Sequence, residues 1–389
     1  MSTPAPAAPA SPYSMKNPYP AKRLDNIRLT GPDSDKDTRH HAISLGTSGV
    51  VYAPGDALGL IATNCADLVA ELVKALGAKG EEMVPGKDKV PVTLREALTS
   101  HYVINFIDKK FIEGCVSKGV SDLAPLLVPE NSDKLKTFLN GRDECFDYVD
   151  LLHAYPDAKF APEEFVALLR RLPPRLYSIA SSLAAHPNEV HLTVATVKYK
   201  IRDRIRKGVA STFLAERWSG DTTAGIYIQS QQKHFFLPPD PNTPMIMVGP
   251  GTGIAPFRGF IAHRLVTGAK GKNWLFFGER KSSQDFFYRE HFEKLMADGF
   301  LKMSLAWSRD VAGQRVFVQT KMIEHGKELW EWLQQGAEFF VCGDKSRMAA
   351  DVDAALHQIA ETHGGKTPEQ AKEYMEELKK THRYKRDVY

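Results

Sequence analysis

The chain has 389 residues, of which 43% are hydrophobic, 25% charged and 10% aromatic. This is the make-up of a soluble globular protein long enough for two or three domains, and not of a disordered, collagenous or membrane one. Lys+Arg 51 against Asp+Glu 47 leaves a net charge of +4, too small and too dispersed to mark a nucleic-acid binder.

Residues 1–20 are rich in Pro, Ala and Ser and poor in large aliphatics, so they bury too little to offset the entropy of ordering and predict a disordered tail. They carry no basic segment leading into an apolar one, and no apolar run in the chain reaches the roughly eighteen residues of a membrane span. The expectation is a cytoplasmic protein with reduced thiols and no membrane insertion. The cysteines Cys65, Cys115, Cys145 and Cys342 lie far apart without a C-x-x-C pair, which excludes a zinc ribbon or an iron–sulfur cluster held by this chain alone.

From Lys22 onward the runs AKRLDNIRLT, HAISLG and VVYAPGDALGL read as strands, with Pro54-Gly55-Asp56 as turn chemistry. They open an antiparallel barrel. Between Asn64 and Leu172 the period becomes helical, as in ADLVAELVKALGA and in PEEFVALLRRL before Pro173-Pro174. Strand patterns return in RLYSIASS, NEVHLTVATVKY and AGIYIQS, with GVASTFLAERW as a glycine turn entering a short helix. The Pro-dense stretch PPDPNTP then marks a domain break.

Beyond the break, strands MIMVG, NWLFFG, SLAWS and EFFVCG alternate with helices, which predicts a parallel sheet covered on both faces. A last helix, PEQAKEYMEELKKTH, leads to the tail RYKRDVY. The predicted fold is thus a β-barrel over residues 21–63 and 173–237, a helical insert over 64–172, and a Rossmann-like α/β domain over 238–389.

Two features carry chemistry. Val248-Gly249-Pro250-Gly251-Thr252-Gly253 joins a buried strand to a helix, where glycines let backbone approach a ligand and the helix start offers N–H groups to a pyrophosphate. A tight packing turn would look the same. Arg175-Leu176-Tyr177-Ser178 sets an Arg, an aromatic ring and a hydroxyl side by side, which suits a flat ring bearing a diphosphate and equally suits a polar edge strand. His40-His41 lacks a partner at ligand spacing, so no metal site is expected. Trp330 and Trp332 on an amphipathic helix read as packing residues. The basic run ELKKTHRYKR reads as a solvated helix end.

RLYSIASS, GVASTFLAER, PMIMVGPGTGIAPFRGF, NWLFFGER, LAWSRD, FFVCGDKSRMAADV and the closing RDVY resemble, in order and spacing, the FAD- and NADPH-binding module of the diflavin reductases. The sulfite reductase flavoprotein is the nearer branch and cytochrome P450 reductase the more distant one. The resemblance implies two cofactors, FAD and NADPH. It implies that Arg175 neutralises the FAD pyrophosphate, that Tyr177 stacks on the isoalloxazine next to Leu176, and that Ser178 hydrogen-bonds near flavin N5. Thr193, Val194 and Ala195, Tyr199, and the turn Gly208, Val209, Ala210, Ser211 with Thr212 complete that site.

For the coenzyme, the resemblance implies Gly251, Thr252 and Gly253 at the pyrophosphate. Ser308, Arg309, Arg315 and Gln319 would lie at the 2′-phosphate, with Phe317 where relatives commonly carry Tyr, and Asp351 nearby. It implies catalysis by Ser178, Cys342 and Asp387, with Tyr389 stacking on the flavin until nicotinamide displaces it. Members of the family carry an FMN-binding flavodoxin domain upstream, and only about twenty residues precede the barrel here. Electrons are therefore expected to leave FAD for a separate protein: a haem sulfite reductase subunit, a flavodoxin or a ferredoxin. A ferredoxin/flavodoxin–NADP+ reductase outside sulfur metabolism, and a non-catalytic flavin-binding subunit, are the competing expectations.

Overall fold

The computed structural model describes residues 11–140, 146–231 and 234–389; Cys145 and residues 1–10 of the expected tail lie outside them. The chain opens with β1 (Tyr19–Arg28), β2 (Thr38–Ser44) and β3 (Ala57–Ile61). The short strands β4 (Met83–Pro85) and β5 (Pro91–Thr93) follow among helices, then β6 (Arg175–Ser178), β7 (Glu189–Ala195), β8 (Lys198–Ile201), β9 (Arg204–Lys207) and β10 (Thr223–Gln229). The last third supplies β11 (Met245–Val248), β12 (Asn273–Glu279), β13 (Lys302–Trp307), β14 (Glu338–Gly343) and β15 (Tyr384–Val388).

The chain divides into two compact units. One holds residues up to Leu60, Leu176–Thr196 and Ser219–Tyr389; the other holds Ile61–Arg175 and Val197–Trp218. The first unit contains two sheets. Six strands in the order β6-β3-β10-β1-β2-β7 form the barrel sheet, with β1 antiparallel to β2 and β10 and β2 antiparallel to β7. Just past β6, Ala180 N donates to His191 O on β7 at 2.8 Å, so the two edges of the sheet meet. The tail expectation is corrected at its end: the backbone of Tyr19 and Pro20 pairs with β10, because a strand edge there needs its hydrogen bonds filled.

The second sheet of this unit is all parallel, in the order β13-β12-β11-β14-β15. All four residues of β11 are fully buried, as helices on both faces of a parallel sheet demand, which is why its sequence reads as an unbroken apolar run. Chain order reverses between β11 and β14. In such sheets ligands lodge beyond the C-terminal strand ends at that point. The segment Tyr384–Val388 within RYKRDVY, for which no strand was expected, forms the fifth strand. Trp332 is buried in the core beside Trp274, and Trp330 packs on Tyr374, as their helical spacing predicts.

The other unit is built around an apolar core of Leu72, Leu98, Ile104, Phe111, Tyr148 and Phe165, supplied by helices Ala66–Ala75, Lys109–Ser117, Tyr148–Ala154 and Pro162–Ala167. Residues 197–218, expected in the barrel, group here. The reason is electrostatic. Asp147 and Asp150 cap the helix Tyr148–Ala154 reciprocally, Asp150 N donating to Asp147 at 2.9 Å and Asp147 N to Asp150 at 3.1 Å. Arg204 and Arg206 of the β8–β9 hairpin ion-pair with both carboxylates. With Asp147 2% and Arg206 8% exposed, neither partner has water to replace the other. Asp147→Ala removes a cap and one partner of a buried ion cluster, and should cost about 3 kcal/mol or more, read as a lowered denaturation midpoint by circular dichroism.

His40 and His41 sit on opposite faces of β2, 8% and 0% exposed. Burial first, and neighbouring cations second (Arg258 for His40, Arg23 and Arg39 for His41), push both down from 6.5 to about 3. The unfolded chain takes up these protons near pH 6.5 and the folded chain does not until about pH 3. Stability is therefore full above pH 6.5 and falls as pH drops toward 3, at roughly 1.4 kcal/mol per pH unit for each histidine. His41→Gln should flatten about half of this slope, measured as the urea midpoint between pH 7 and pH 5.

Candidate active site

At the reversal point, β11 runs into Gly249-Pro250-Gly251-Thr252-Gly253 and a tight 3-10 turn over Gly251–Ile254, then the helix Ala255–Thr267. No side chain caps this helix and Pro256 occupies its first turn; the 3-10 turn runs straight into it, with Ala255 N donating to Thr252 O and Gly253 N to Pro250 O. The glycines divide between two tasks. A Cβ on Gly253 would lie 2.2 Å from Cys342 O on β14, and one on Gly249 2.5 Å from Gly253 O and 2.6 Å from the Phe257 ring; the first lets the turn pack on β14, the second lets it fold back on the helix. Gly251, at φ +58, takes the left-handed conformation that turns the loop outward. Packing and ligand approach are thus both served by one turn.

The tail strand builds the next layer. β15 runs parallel to β14 with Cys342 opposite Asp387 and Gly343 opposite Val388, and Tyr389 N donates to Gly343 O at 3.1 Å. Asp387 is thereby set beside Cys342, whose Sγ donates to Asp387 Oδ2 at 3.8 Å, while Ser178 Oγ at the end of β6 donates to the same oxygen at 2.5 Å. Burial raises the Asp387 carboxyl, and the bonds from Ser178 and Cys342 pull it back. Burial, reinforced by the Asp387 charge, raises the Cys342 thiol well above its usual range. Cys342 is therefore a protonated packing group and not a thiolate nucleophile. The Tyr389 ring is 58% exposed, and its hydroxyl lies 3.0 Å from Thr252 Oγ1.

Beyond β13, Ser308 N and Oγ donate to Glu279 O at 2.9 and 3.2 Å. Arg309 is exposed at its side chain and donates to Asp35 at 2.7 Å. Gln319 Nε2 donates to Asp351 Oδ2 at 3.2 Å, so those two are brought together. Arg315 and Phe317 lie exposed on the segment entering the helix Val318–Glu324. Asp35 was passed over in the sequence because an acidic loop residue belongs to no motif; only the fold carries it to Arg309.

Flavin-type residues occur in each unit. In the first, Leu176 is 44% exposed, Tyr177 and Ser178 are half-buried, and Thr193 Oγ1 bonds Tyr288 Oη at 2.6 Å, with Val194 and Ala195 following on β7. Arg175 begins β6 and is exposed.

In the other unit, Gly208 leads into the helix Val209–Thr212. Ser211 Oγ accepts from Val197 N at 3.1 Å, and Thr212 Oγ1 donates to Gly208 O at 2.7 Å while accepting from Arg217. These hydroxyls and the buried Ala210 hold the shape of the turn. A cavity of about 490 Å³ in this unit is lined by Cys65, Tyr199, Lys207, Val209, Thr212 and Arg217 among others.

His186, Glu189 and His191 bring ligand atoms within 4.8 Å of one another. Arg258, however, donates to His191 Nδ1 at 3.3 Å and His191 Nε2 bonds Glu189, so a guanidinium sits where a metal cation would be opposed.

Two family models match the chain: an FAD binding domain over residues 11–213 and an oxidoreductase NAD-binding domain over residues 247–354. The chain belongs to the FAD binding domain family. FAD and NAD(P)H are accordingly its cofactors. Among individual proteins, it is similar to the sulfite reductase [NADPH] flavoprotein alpha-component of Bacillus subtilis (strain 168), with 44% identity over 99% of this chain and 64% of the relative. The like-named proteins of Aliivibrio fischeri, 42% identical, and Serratia proteamaculans, 43% identical, each match 98% of this chain and 62% of their own length. The chain thus spans a little over three fifths of the length of these relatives. Among the described residues no helix is long and apolar enough to cross a membrane.

The glycine turn of this FAD-binding family member gives a stability test. Gly253→Ala drives a methyl into the Cys342 carbonyl, which backbone cannot yield cheaply. It should cost about 1–3 kcal/mol, seen as a lower thermal midpoint with coenzyme affinity reduced in parallel.

Proposed function

We propose that this chain is an NADPH-dependent flavoprotein reductase of the sulfite reductase flavoprotein type, passing electrons from FAD to a separate acceptor protein. The observation that carries it is the meeting of Ser178, Cys342 and Asp387. One residue at the end of a barrel strand and two in register on the nucleotide sheet converge on a single carboxylate oxygen. FAD, when bound, supplies two-electron acceptance from NADPH and release of electrons one at a time.

The chain's own residues supply positioning and charge. Asp387, held in place by the Ser178 and Cys342 hydrogen bonds, carries when ionised a charge that attracts a cationic ring more than a neutral one and so favours the oxidised nicotinamide. Cys342, held protonated, offers an apolar contact without competing nucleophilic chemistry. Ser178 places a hydroxyl beside the reacting edge of the flavin. Tyr389, exposed and tethered through backbone to Gly343, would supply an aromatic ring to cover bound flavin and would yield to nicotinamide.

Around them, Leu176 and Tyr177 with Thr193, Val194 and Ala195 hold FAD; Arg175, Tyr199 and the turn Gly208, Val209, Ala210, Ser211 and Thr212 are its further ligands by the family resemblance alone. Gly251, Thr252 and Gly253 receive the coenzyme pyrophosphate at an uncapped helix start. Ser308, Arg309, Arg315 and Gln319 receive the 2′-phosphate. Phe317 lacks the hydroxyl a Tyr would add there, and Asp351 meets the coenzyme through its bond with Gln319.

That the relatives are named the alpha-component of a sulfite reductase supports a further sulfite reductase subunit as acceptor, expected to carry haem, ahead of a flavodoxin or a ferredoxin. The free thiols Cys65, Cys115 and Cys342 suit a cytoplasmic setting. The protein reconstituted with FAD under anaerobic conditions should bleach rapidly with NADPH and slowly with NADH. Cys342→Ala and Asp387→Asn should each slow this bleaching about tenfold or more, a barrier increase of about 1.4 kcal/mol or greater. No bleaching of the wild-type protein by NADPH would mean that the chain binds flavin without turning it over, and unchanged rates in both variants that Cys342 and Asp387 take no part in the transfer.

A further inference from the structure

The segment between β1 and β2, residues 31–37, lies against the C-terminal ends of β12 and β13 and is fastened there at several points. Gly31 N donates to Gln284 O at 2.7 Å, Asp33 N to Gln284 Oε1 at 3.2 Å, and Ser34 Oγ to Asp285 Oδ1 at 2.5 Å. Lys36 ion-pairs with Glu279, a carboxylate whose side chain is 3% exposed. Between these anchors, Asp35 Oδ2 accepts from Arg309 Nη1 at 2.7 Å and from Arg280 Nη1 at 3.1 Å. The two arginines are held as neighbours, because Arg309 N donates to Arg280 O at 2.8 Å.

We propose that Asp35 is a specificity-determining residue that stands in for the coenzyme's 2′-phosphate on Arg280 and Arg309, so that coenzyme binding exchanges one anion for another. This rests on the reading of Ser308 and Arg309 as the 2′-phosphate site. Three observations support the exchange. Both arginines are satisfied through a single carboxylate oxygen, so neither guanidinium makes the two-point contact that it makes best. The Asp35–Arg309 pair is solvent-screened, 55% and 52% exposed at the side chains, with Arg280 at 29% the less exposed partner, and exposed ion pairs are weak enough to be displaced. A phosphate dianion brings more charge and three acceptor oxygens, which a lone carboxylate cannot match.

Anchoring the loop on Gly31, Ser34 and Lys36 keeps Asp35 close after displacement. It is then ready to return and to speed release of the phosphorylated product. A coenzyme without the 2′-phosphate neither displaces Asp35 nor is hindered by it. Asp35 therefore acts on the phosphorylated ligands alone.

The test is calorimetric titration of the FAD-loaded protein with 2′,5′-ADP and, separately, with 5′-AMP. Asp35→Asn should tighten 2′,5′-ADP about two- to tenfold, as expected for loss of weak exposed ion pairs, and leave 5′-AMP unchanged. Stopped-flow release of NADP+ should slow by the same factor. Asp35→Glu should restore wild-type behaviour. Asp33→Asn, which removes a charge from the same loop without contacting either arginine, should change nothing. Weaker 2′,5′-ADP binding in Asp35→Asn, or equal shifts for both nucleotides, would show that Asp35 merely positions the loop and overturns the proposal. Binding of 2′,5′-ADP that is unaffected by Asp35→Asn overturns this proposal alone. No binding of 2′,5′-ADP by either protein overturns the 2′-phosphate reading and this proposal with it.

Discussion

The pairing of β15 with β14 is the constraint on which the candidate active site rests. Five residues at the end of the chain add a parallel strand to the nucleotide sheet, and that register sets Asp387 beside Cys342. Without the ladder, a carboxylate so close to a buried thiol would swing into water, since desolvation opposes its charge. With it, the carboxylate is held in place and receives hydrogen bonds from Ser178 and Cys342. A short terminal segment thereby ties the barrel sheet to the nucleotide sheet through one oxygen atom.

Electrostatics divides the molecule's charges by depth. Lys385, 2% exposed and bonded to Glu338 and to the Phe236 carbonyl, and the Arg204, Arg206, Asp147 and Asp150 cluster are buried, paired and structural. The exposed ones near the strand ends, Arg309 and Arg280 on Asp35, are held only loosely because water screens them. Deep pairs keep the fold, and shallow pairs remain available to a ligand anion.

Much of the fold was legible along the chain because the signals were local. Met245–Val248, Asn273–Glu279, Lys302–Trp307 and Glu338–Gly343 are apolar runs separated by helical periods, and a buried parallel sheet requires that alternation. The tail RYKRDVY was not legible as a strand. Its charged residues and its place at the chain end mask a conformation that comes from pairing with β14. The β8–β9 hairpin was likewise read into the barrel, since the arginines that bind it to the helical unit find Asp147 and Asp150 only across more than fifty residues of sequence.

The candidate site shows the same division. The sequence by itself determined which chemistry is available: a glycine turn at a helix start, an Arg-Leu-Tyr-Ser strand, a cysteine in VCGD and an aspartate in RDVY. Those choices are local, set by backbone freedom and side-chain type. Only the tertiary structure decided that Ser178, Cys342 and Asp387 share one oxygen, that Gly253 packs on the Cys342 carbonyl while Gly251 takes the left-handed turn, and that Asp35 occupies Arg309. Each of these depends on distances between segments far apart in the chain, and such distances are fixed by sheet register and burial rather than by any neighbouring residue.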